Sequence, residues 1–176
     1  MGEAQQGGVK AQEALVRKYG AMVNRLAFRL LGGSEDLDDL VQESFLQAFR
    51  SLKRLDKPEA FRGWLSEIVV RTAHNLIRRR RLMSRIGLRT TRPIDVDGLI
   101  TPNTPLESML TLTSIYRTLE RLPAKVRIAL VLRRVEGRQL EEVAELMGAS
   151  LASVKRWLAQ ADKVLEGERR TVGSQT

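Results

Sequence analysis

The chain has 176 residues, 43% of them hydrophobic, enough for one core or two small ones. Lys and Arg total 30 against 21 Asp and Glu, a net charge of +9 that favours a polyanionic partner, either nucleic acid or an anionic membrane surface. Cysteine is absent and histidine occurs once, which excludes disulfides, thiolate metal sites and multi-histidine metal sites. No stretch approaches the length of a membrane span, and the first ten residues, MGEAQQGGVK, contain no apolar signal core. Gln6 stands where an acylation signal would carry Ser or Thr, so a cytoplasmic location is expected.

In chain order, residues 1–9 are rich in Gly and Gln and are expected to be disordered. The spacing predicts a first helix over 11–31, with Leu15, Met22, Val23, Leu26, Ala27 and Leu30 on one side. Gly32-Gly33 closes it with the left-handed cap that glycine permits. Ser34 is placed to cap a second helix, and Glu35, Asp36 and Asp38 put negative charge at its start. Leu37, Leu40, Val41, Phe45, Ala48, Phe49 and Leu52 supply its apolar face. After a polar break over 53–57, a third helix is predicted up to residue 81, with Asp56 as cap and Pro58 in the first turn. Phe61, Trp64, Leu65, Ile68, Val69, Ala73, Leu76 and Ile77 form its buried face. Arg71, His74, Asn75 and Arg78 lie off that face, and the helix ends in four consecutive arginines, 78–81. No acidic residue occurs between Ile68 and Ile94, so this side presents a basic strip suited to phosphate.

Residues 83–103 show no sustained period and contain Gly87, Pro93, Gly98 and Pro102, as an extended linker would. Thr104-Pro105-Leu106-Glu107 then combines a capping box with proline at the first helical position, opening a helix to about Leu122. Pro123 opens the next, which stops at Gly137. Two further helices are predicted over 140–147 and 151–166, separated by Gly148-Ala149-Ser150, and the polar tail after Gly167 is expected to fray. The reading is all-α: a three-helix domain over 10–83, a linker over 84–104, and a four-helix domain over 105–167.

The last two helices fit a helix-turn-helix, with Ala144 small at the crossing, Gly148 in the turn and Ser150 as cap. Val143, Met147, Val154, Leu158 and Leu165 face inward. Lys155, Arg156 and Gln160 are side-chain types that read guanine and adenine edges, but Asp162 and Glu166 keep the net charge of the helix small. On its own, this helix would bind DNA weakly. Asp36, Asp39 and Glu43 share a face of the second helix and suit helix capping, a docking surface or a Mg²⁺ site. The surrounding sequence offers no nucleophile, and His74 has neither orienting carboxylate nor nucleophile beside it, so neither metal nor catalytic residue is assigned. Trp64 reads as core, and Trp157 as core in preference to a DNA contact.

Taken together these segments resemble a known family. Residues 34–45, SEDLDDLVQESF, look like the polymerase-docking helix of bacterial sigma factors, and Phe61-Arg62-Gly63-Trp64-Leu65 resembles their promoter-melting segment. Leu122-Pro123-Ala124 through Val135-Glu136-Gly137, then Glu141-Glu142-Val143-Ala144 and Val154-Lys155-Arg156, resemble their C-terminal helix-turn-helix. With only sigma domains 2 and 4 present, the chain is similar to the extracytoplasmic-function (ECF) group of the sigma-70 family. The resemblance implies a non-catalytic transcription initiation factor with no cofactor, metal or small-molecule substrate. Its partners would be core RNA polymerase (the β′ clamp helices and β), promoter DNA and an anti-sigma factor. Docking would use Asp36, Asp39, Leu40, Gln42 and Glu43. The loop carrying Leu55, Asp56, Lys57 and Arg62 would receive a base flipped from the −10 element, while Arg71, His74, Asn75 and Arg78 hold the opened strand. The −35 element would be read by Ser150, Ser153, Lys155, Arg156 and Gln160, with Arg133, Arg134 and Arg138 near phosphates. The linker would thread the polymerase cleft, its Asp95 and Asp97 mimicking nucleic-acid charge.

Four positions depart from the family's common pattern: Arg71 where Asn is frequent, Leu55 where an aromatic is frequent, and Trp157 and Gln160 where Arg is frequent. They leave the promoter sequence open. The alternative reading is a stand-alone helix-turn-helix regulator of duplex DNA, which leaves the acidic second helix and the basic strip without a purpose. A metal-dependent nuclease built on Asp36, Asp39 and Glu43 is a third, disfavoured class.

Overall fold

The computed structural model describes residues 1–32, 36–87 and 106–173, with side chains over 1–32, 36–87 and 114–167. All regular structure among the described residues is helical, and the chain divides into two units, Met1–Leu76 and Ile77–Thr176.

In the first unit the apolar stripes anticipated from spacing become the core. Helix α1 is Gly2–Gln5 and α2 is Val9–Leu31. Val23, Leu26, Ala27, Phe28, Leu30 and Leu31 of α2 are buried, and Gly32 ends the helix at φ 69°, its N–H donating to Phe28 O at 2.7 Å. Helix α3, Leu37–Ser51, packs on α2 through Leu40, Ser44, Phe45 and Ala48. A 3₁₀ turn at Leu52–Arg54 follows, then another at Pro58–Ala60, which leads into α4, Phe61–Arg85. Phe61 is fully buried, its ring centroid 4.9 Å from Tyr19 and 5.8 Å from Trp64. Trp64 itself is half-buried.

The buried face of α4 is wider than the apolar pattern, because Ser66 and Thr72 are also buried. Each hydroxyl is satisfied inside its own helix: Ser66 Oγ donates to Arg62 O at 2.9 Å and Thr72 Oγ1 to Ile68 O at 2.8 Å. Ser44 Oγ does the same on α3, to Leu40 O at 2.7 Å. Back-bonding of this kind lets a hydroxyl enter an apolar interior without an orphaned donor.

Three expectations for this unit are corrected. Residues 1–9 are not featureless: α1 forms and Ala4 is 2% exposed. Asp56 does not cap the third predicted helix, since Lys57 occupies the cap position of the Pro58–Ala60 turn and supplies no side-chain bond. That helix also continues past residue 81 to Arg85, as nothing in its last turns breaks the backbone pattern. The cap assigned to Ser34 lies outside the described residues, as do Gly33, Glu35, most of the expected linker and Thr104-Pro105.

In the second unit α5 is Leu106–Arg121, α6 is Ala124–Leu130, α7 is Leu140–Leu146 and α8 is Leu151–Gly173. Helix α8 extends beyond the frayed end expected at Gly167. Helix α6 runs on as a π-helical turn over Val131–Val135, where Glu136 N–H reaches back to Val131 O at 3.0 Å, and Gly137 then reverses the chain at φ 69°. Val126, Ile128, Leu130, Val131, Leu132, Val143, Val154 and Ala161 are buried, and α8 packs on both α6 and α7. Trp157 is half-buried, with Lys125 Nζ 5.6 Å from its ring centroid. The last turns of α4, from Ile77 on, belong to this second unit, and there Arg81 donates to Leu122 O at 2.8 Å and Arg121 O at 2.9 Å, serving carbonyls at the end of α5.

Arg127 on α6 is a core residue that the apolar pattern does not reveal. It is 3% exposed, and its Nε and Nη2 have no hydrogen-bond partner among the described residues. Burial pulls its guanidinium down to about 10, partly opposed by Glu120, so it still carries its charge at neutral pH. A buried, half-satisfied cation costs stability that an apolar side chain of similar length does not. Arg127→Met is expected to stabilise the protein by about 1–3 kcal/mol, read as a higher midpoint in urea unfolding.

Candidate nucleic-acid interface

Three exposed surfaces emerge from this scaffold. The first is on α3. Asp36, Asp39, Glu43 and Leu46 follow at spacings of three, four and three, so they form one stripe. Asp39 is exposed, Asp36 and Glu43 are half-buried, and Leu46 is an exposed apolar residue at 41%. Glu43 Oε1 accepts from Gln47 Nε2 at 2.9 Å, which orients the carboxylate, and exposed Gln42 adjoins the stripe. Leu40, assigned above to docking, is 1% exposed. One position on from Asp39, it falls on the inner stripe with Ser44 and Ala48 and holds the helix down instead. Leu46 is the apolar residue that the outer stripe actually presents, and its spacing from Asp39 and Glu43 is the signal that marks it. Among the described residues no group of three His, Asp or Glu side chains is placed to hold a metal ion.

The second surface is the loop after α3 together with one face of α4. Asp56, Lys57 and Arg62 are exposed. Leu55, expected to line a base pocket, is 7% exposed, because its side chain plugs the bundle and anchors the loop from below. On α4, Arg71, Asn75 and Arg78 are exposed and His74 is half-buried. Their spacing of three, one and three sets them on a single face, away from buried Val69, Ala73 and Ile77. The result is a row of hydrogen-bond donors with no acidic side chain interleaved from Arg71 to Arg85.

The third surface is the pair α7–α8. Gly148 takes φ 56°, a conformation costly for a residue with a Cβ, and Ala149 N–H reaches Ala144 O at 2.8 Å across the turn. Ala144 is 8% exposed, while Val143 and Val154 are fully buried, which sets the crossing of the two helices. A reciprocal capping box joins Gln139 and Glu142, and the Gln139 N–H holds the Glu142 carboxyl below its ordinary value. Lys155, Arg156 and Gln160 project into solvent from α8.

Ser150 and Ser153 are engaged with each other: Ser153 N–H donates to Ser150 Oγ at 3.3 Å, and Ser150 Oγ donates to Ser153 Oγ at 3.1 Å. Their first role is therefore to start the helix. Arg133 is also drawn into the fold, donating from Nη1 to Arg138 O at 2.8 Å, while Arg138 Nη1 contacts Glu142 Oε1 at 3.4 Å. Arg134 pairs with Asp162 at 3.0 Å, an exposed bond that solvent screens. Arg133, Arg134, Lys155, Leu158 and Asp162 line a groove of ≈ 630 Å³. No described helix is long and apolar enough to cross a membrane.

Comparison with known proteins agrees with both halves of this geometry. Residues 15–82 match the Sigma-70 region 2 family and residues 112–163 the Sigma-70 region 4 family. The ECF RNA polymerase sigma-E factor of Haemophilus influenzae is 32% identical over 171 residues, spanning 93% of this chain and 90% of that one. The ECF RNA polymerase sigma factor SigE of Mycolicibacterium smegmatis is 32% identical over 154 residues, and the match spans 58% of that longer protein. Among solved structures, CnrH in complex with the cytosolic domain of CnrY superposes with a TM-score of 0.62 at 25% identity, covering 97% of this chain and 94% of that one. The sigma factor RpoE of Bartonella quintana, solved with the anti-sigma factor NepR, gives 0.66 at 19% identity over 90% of this chain and 96% of that one. The two sigma-70 regions in order, and a relative 32% identical over 93% of this chain and 90% of its own length, place this protein in the ECF family of RNA polymerase sigma factors.

Proposed function

We propose that the chain is a promoter-specificity subunit: it binds core RNA polymerase, directs it to −10 and −35 elements and opens the DNA. Residues 10–83 take polymerase docking and opening, and residues 105–167 take the −35 element. The matched spans 15–82 and 112–163 fall inside this division and support it. Asp36, Asp39, Gln42 and Glu43 supply charge and hydrogen bonds to the β′ clamp helices, with Leu46 as an apolar anchor. Arg71, His74, Asn75 and Arg78, with Arg62 in the first turn of α4, hold the separated strand next to the loop bearing Asp56 and Lys57. Lys155, Arg156 and Gln160 read base edges in the major groove. The anti-sigma factor NepR bound to one structural relative supports a similar inhibitor here, covering the DNA-contacting faces until a signal removes it.

The observation that carries this reading is the presence, on successive helices, of an exposed acidic stripe on α3 and a donor-rich face on α4. A free-standing DNA-binding protein has no use for the first. The test is reconstitution: the purified chain co-elutes with core polymerase and yields run-off transcripts from a matching promoter. Absence of a stable complex refutes the proposal.

The strand-holding role has its own signature. Each phosphate that the protein neutralises on a single strand steepens the fall of log affinity with log salt by roughly 0.7. Arg71→Ala with Arg78→Ala is expected to lower that slope for holoenzyme on pre-melted promoter DNA by about 1.4, while transcription from duplex promoters drops. An unchanged slope removes both residues from the backbone path.

A further inference from the structure

The N-terminal arm, a segment expected to be disordered, is tied to the loop that carries the −10 contacts. The amide of Gln5 donates from Nε2 to Leu52 O at 3.2 Å and to Leu55 O at 3.0 Å. Leu52 O already accepts Leu55 N–H within the 3₁₀ turn, while Leu55 O lies just past that turn, where helical partners run out and an outside donor is most useful. The arm itself is built to deliver that amide. Gly7 turns the chain at φ 87°, and Gly8 N–H bonds Glu3 O at 2.8 Å. A Cβ on Gly8 would sit 2.9 Å from the same oxygen, so only glycine lets the arm fold back on α2. Ala4 is 2% exposed against the bundle, and Gln12 Nε2 reaches Ala4 O at 3.4 Å. Buried Leu55 and Phe61 hold the two ends of the loop, and between them its described backbone bonds are Leu55 N–H to Leu52 O at 3.1 Å and Ala60 N–H to Lys57 O at 3.0 Å.

We infer that residues 1–8 are a clip that positions the 55–60 loop for promoter opening, with Gln5 as its positioning residue. The inference rests on the reading of that loop given under the proposed function. Gln5 is too far back in the loop's support to touch a base. It sets the direction in which Asp56 and Lys57 are offered beside Arg62 at the start of α4, and a small misplacement of such groups is costly when an extruded base must find its pocket.

Two measurements on the intact chain test this. In the free protein, Gln5→Ala and Gln5→Glu are expected to speed amide exchange at Leu55 and Ala60 by roughly tenfold. Gln5→Lys, which keeps a donor at similar reach, leaves exchange slow. Gly8→Val detaches the arm while keeping the Gln5 amide and matches Gln5→Ala. In reconstituted holoenzyme, Gln5→Ala is expected to slow promoter opening about tenfold, read by 2-aminopurine placed in the melted stretch, with affinity for core polymerase unchanged. Unaltered exchange in Gln5→Ala, wild-type opening despite faster exchange, or parallel loss of opening and core affinity each overturns the clip. The exchange arm needs no polymerase, so its failure strikes the clip alone, whereas wild-type protein unable to open any promoter strikes the functional reading.

Discussion

Reversing two charges, Asp39→Lys with Glu43→Lys, is expected to weaken binding to core RNA polymerase by about a hundredfold or more. Both carboxylates lie on the outer stripe of α3, and the Gln47 amide already holds Glu43 in one orientation. A lysine at either position replaces attraction to a basic partner with repulsion, and two reversals on one stripe act on the same encounter. The fold is expected to survive, because the inner stripe of Leu40, Ser44, Phe45 and Ala48 is untouched. Titration of labelled protein with core polymerase, beside an unchanged thermal melt, checks the expectation. Leu46→Ala on the same stripe should cost less, roughly tenfold, since it removes an apolar anchor and introduces no repulsion. Wild-type affinity in the double reversal moves the docking face elsewhere on the protein.

Phe61→Ala is expected to have the largest effect on stability. The ring is fully buried at the entrance to α4 and is flanked by Tyr19 at 4.9 Å and Trp64 at 5.8 Å, so it joins α2 to the start of α4. Truncating such a residue costs about 3–5 kcal/mol, from lost transfer energy and the cavity left behind. In a small helical unit this lowers the unfolding midpoint by roughly 15 °C or more. Trp64, half-buried beside the cavity, reports the change in fluorescence. The 55–60 loop runs directly into Phe61, so promoter opening should fail before the protein unfolds outright. A loss below about 1 kcal/mol would mean that the bundle closes around the gap.

The helical frame is legible in the sequence because each helix repeats its apolar residues every three or four positions and glycine closes several of them. Helix α2, expected over 11–31, spans Val9–Leu31, and the glycines at 32, 137 and 148 all take positive φ. The turn between α7 and α8 is equally plain, because Ala144, Gly148 and Ser150 each answer a local requirement. The features that stay hidden depend on partners distant in sequence or on helix phase. The arm over residues 1–8 looks like disorder by composition, yet its Gln5 finds partners 47 and 50 residues away. Leu40 and Leu46 are chemically identical, and only the phase of α3 decides that one is core and the other surface. Arg133 and Ser150 suit DNA by residue type, but nearby backbone groups use them first. Arg127 carries no sequence signal for burial, since arginine is rarely found inside.

DNA specificity is expected to belong to the complex with polymerase and not to the chain alone. Permanganate footprinting of one promoter fragment, with the protein alone, core polymerase alone and both together, tests this. Reactive thymines are expected around the −10 element only when both are present, with no protected site from the protein alone. A sharp footprint by the protein alone, or a mixture that leaves the duplex closed, would contradict this expectation.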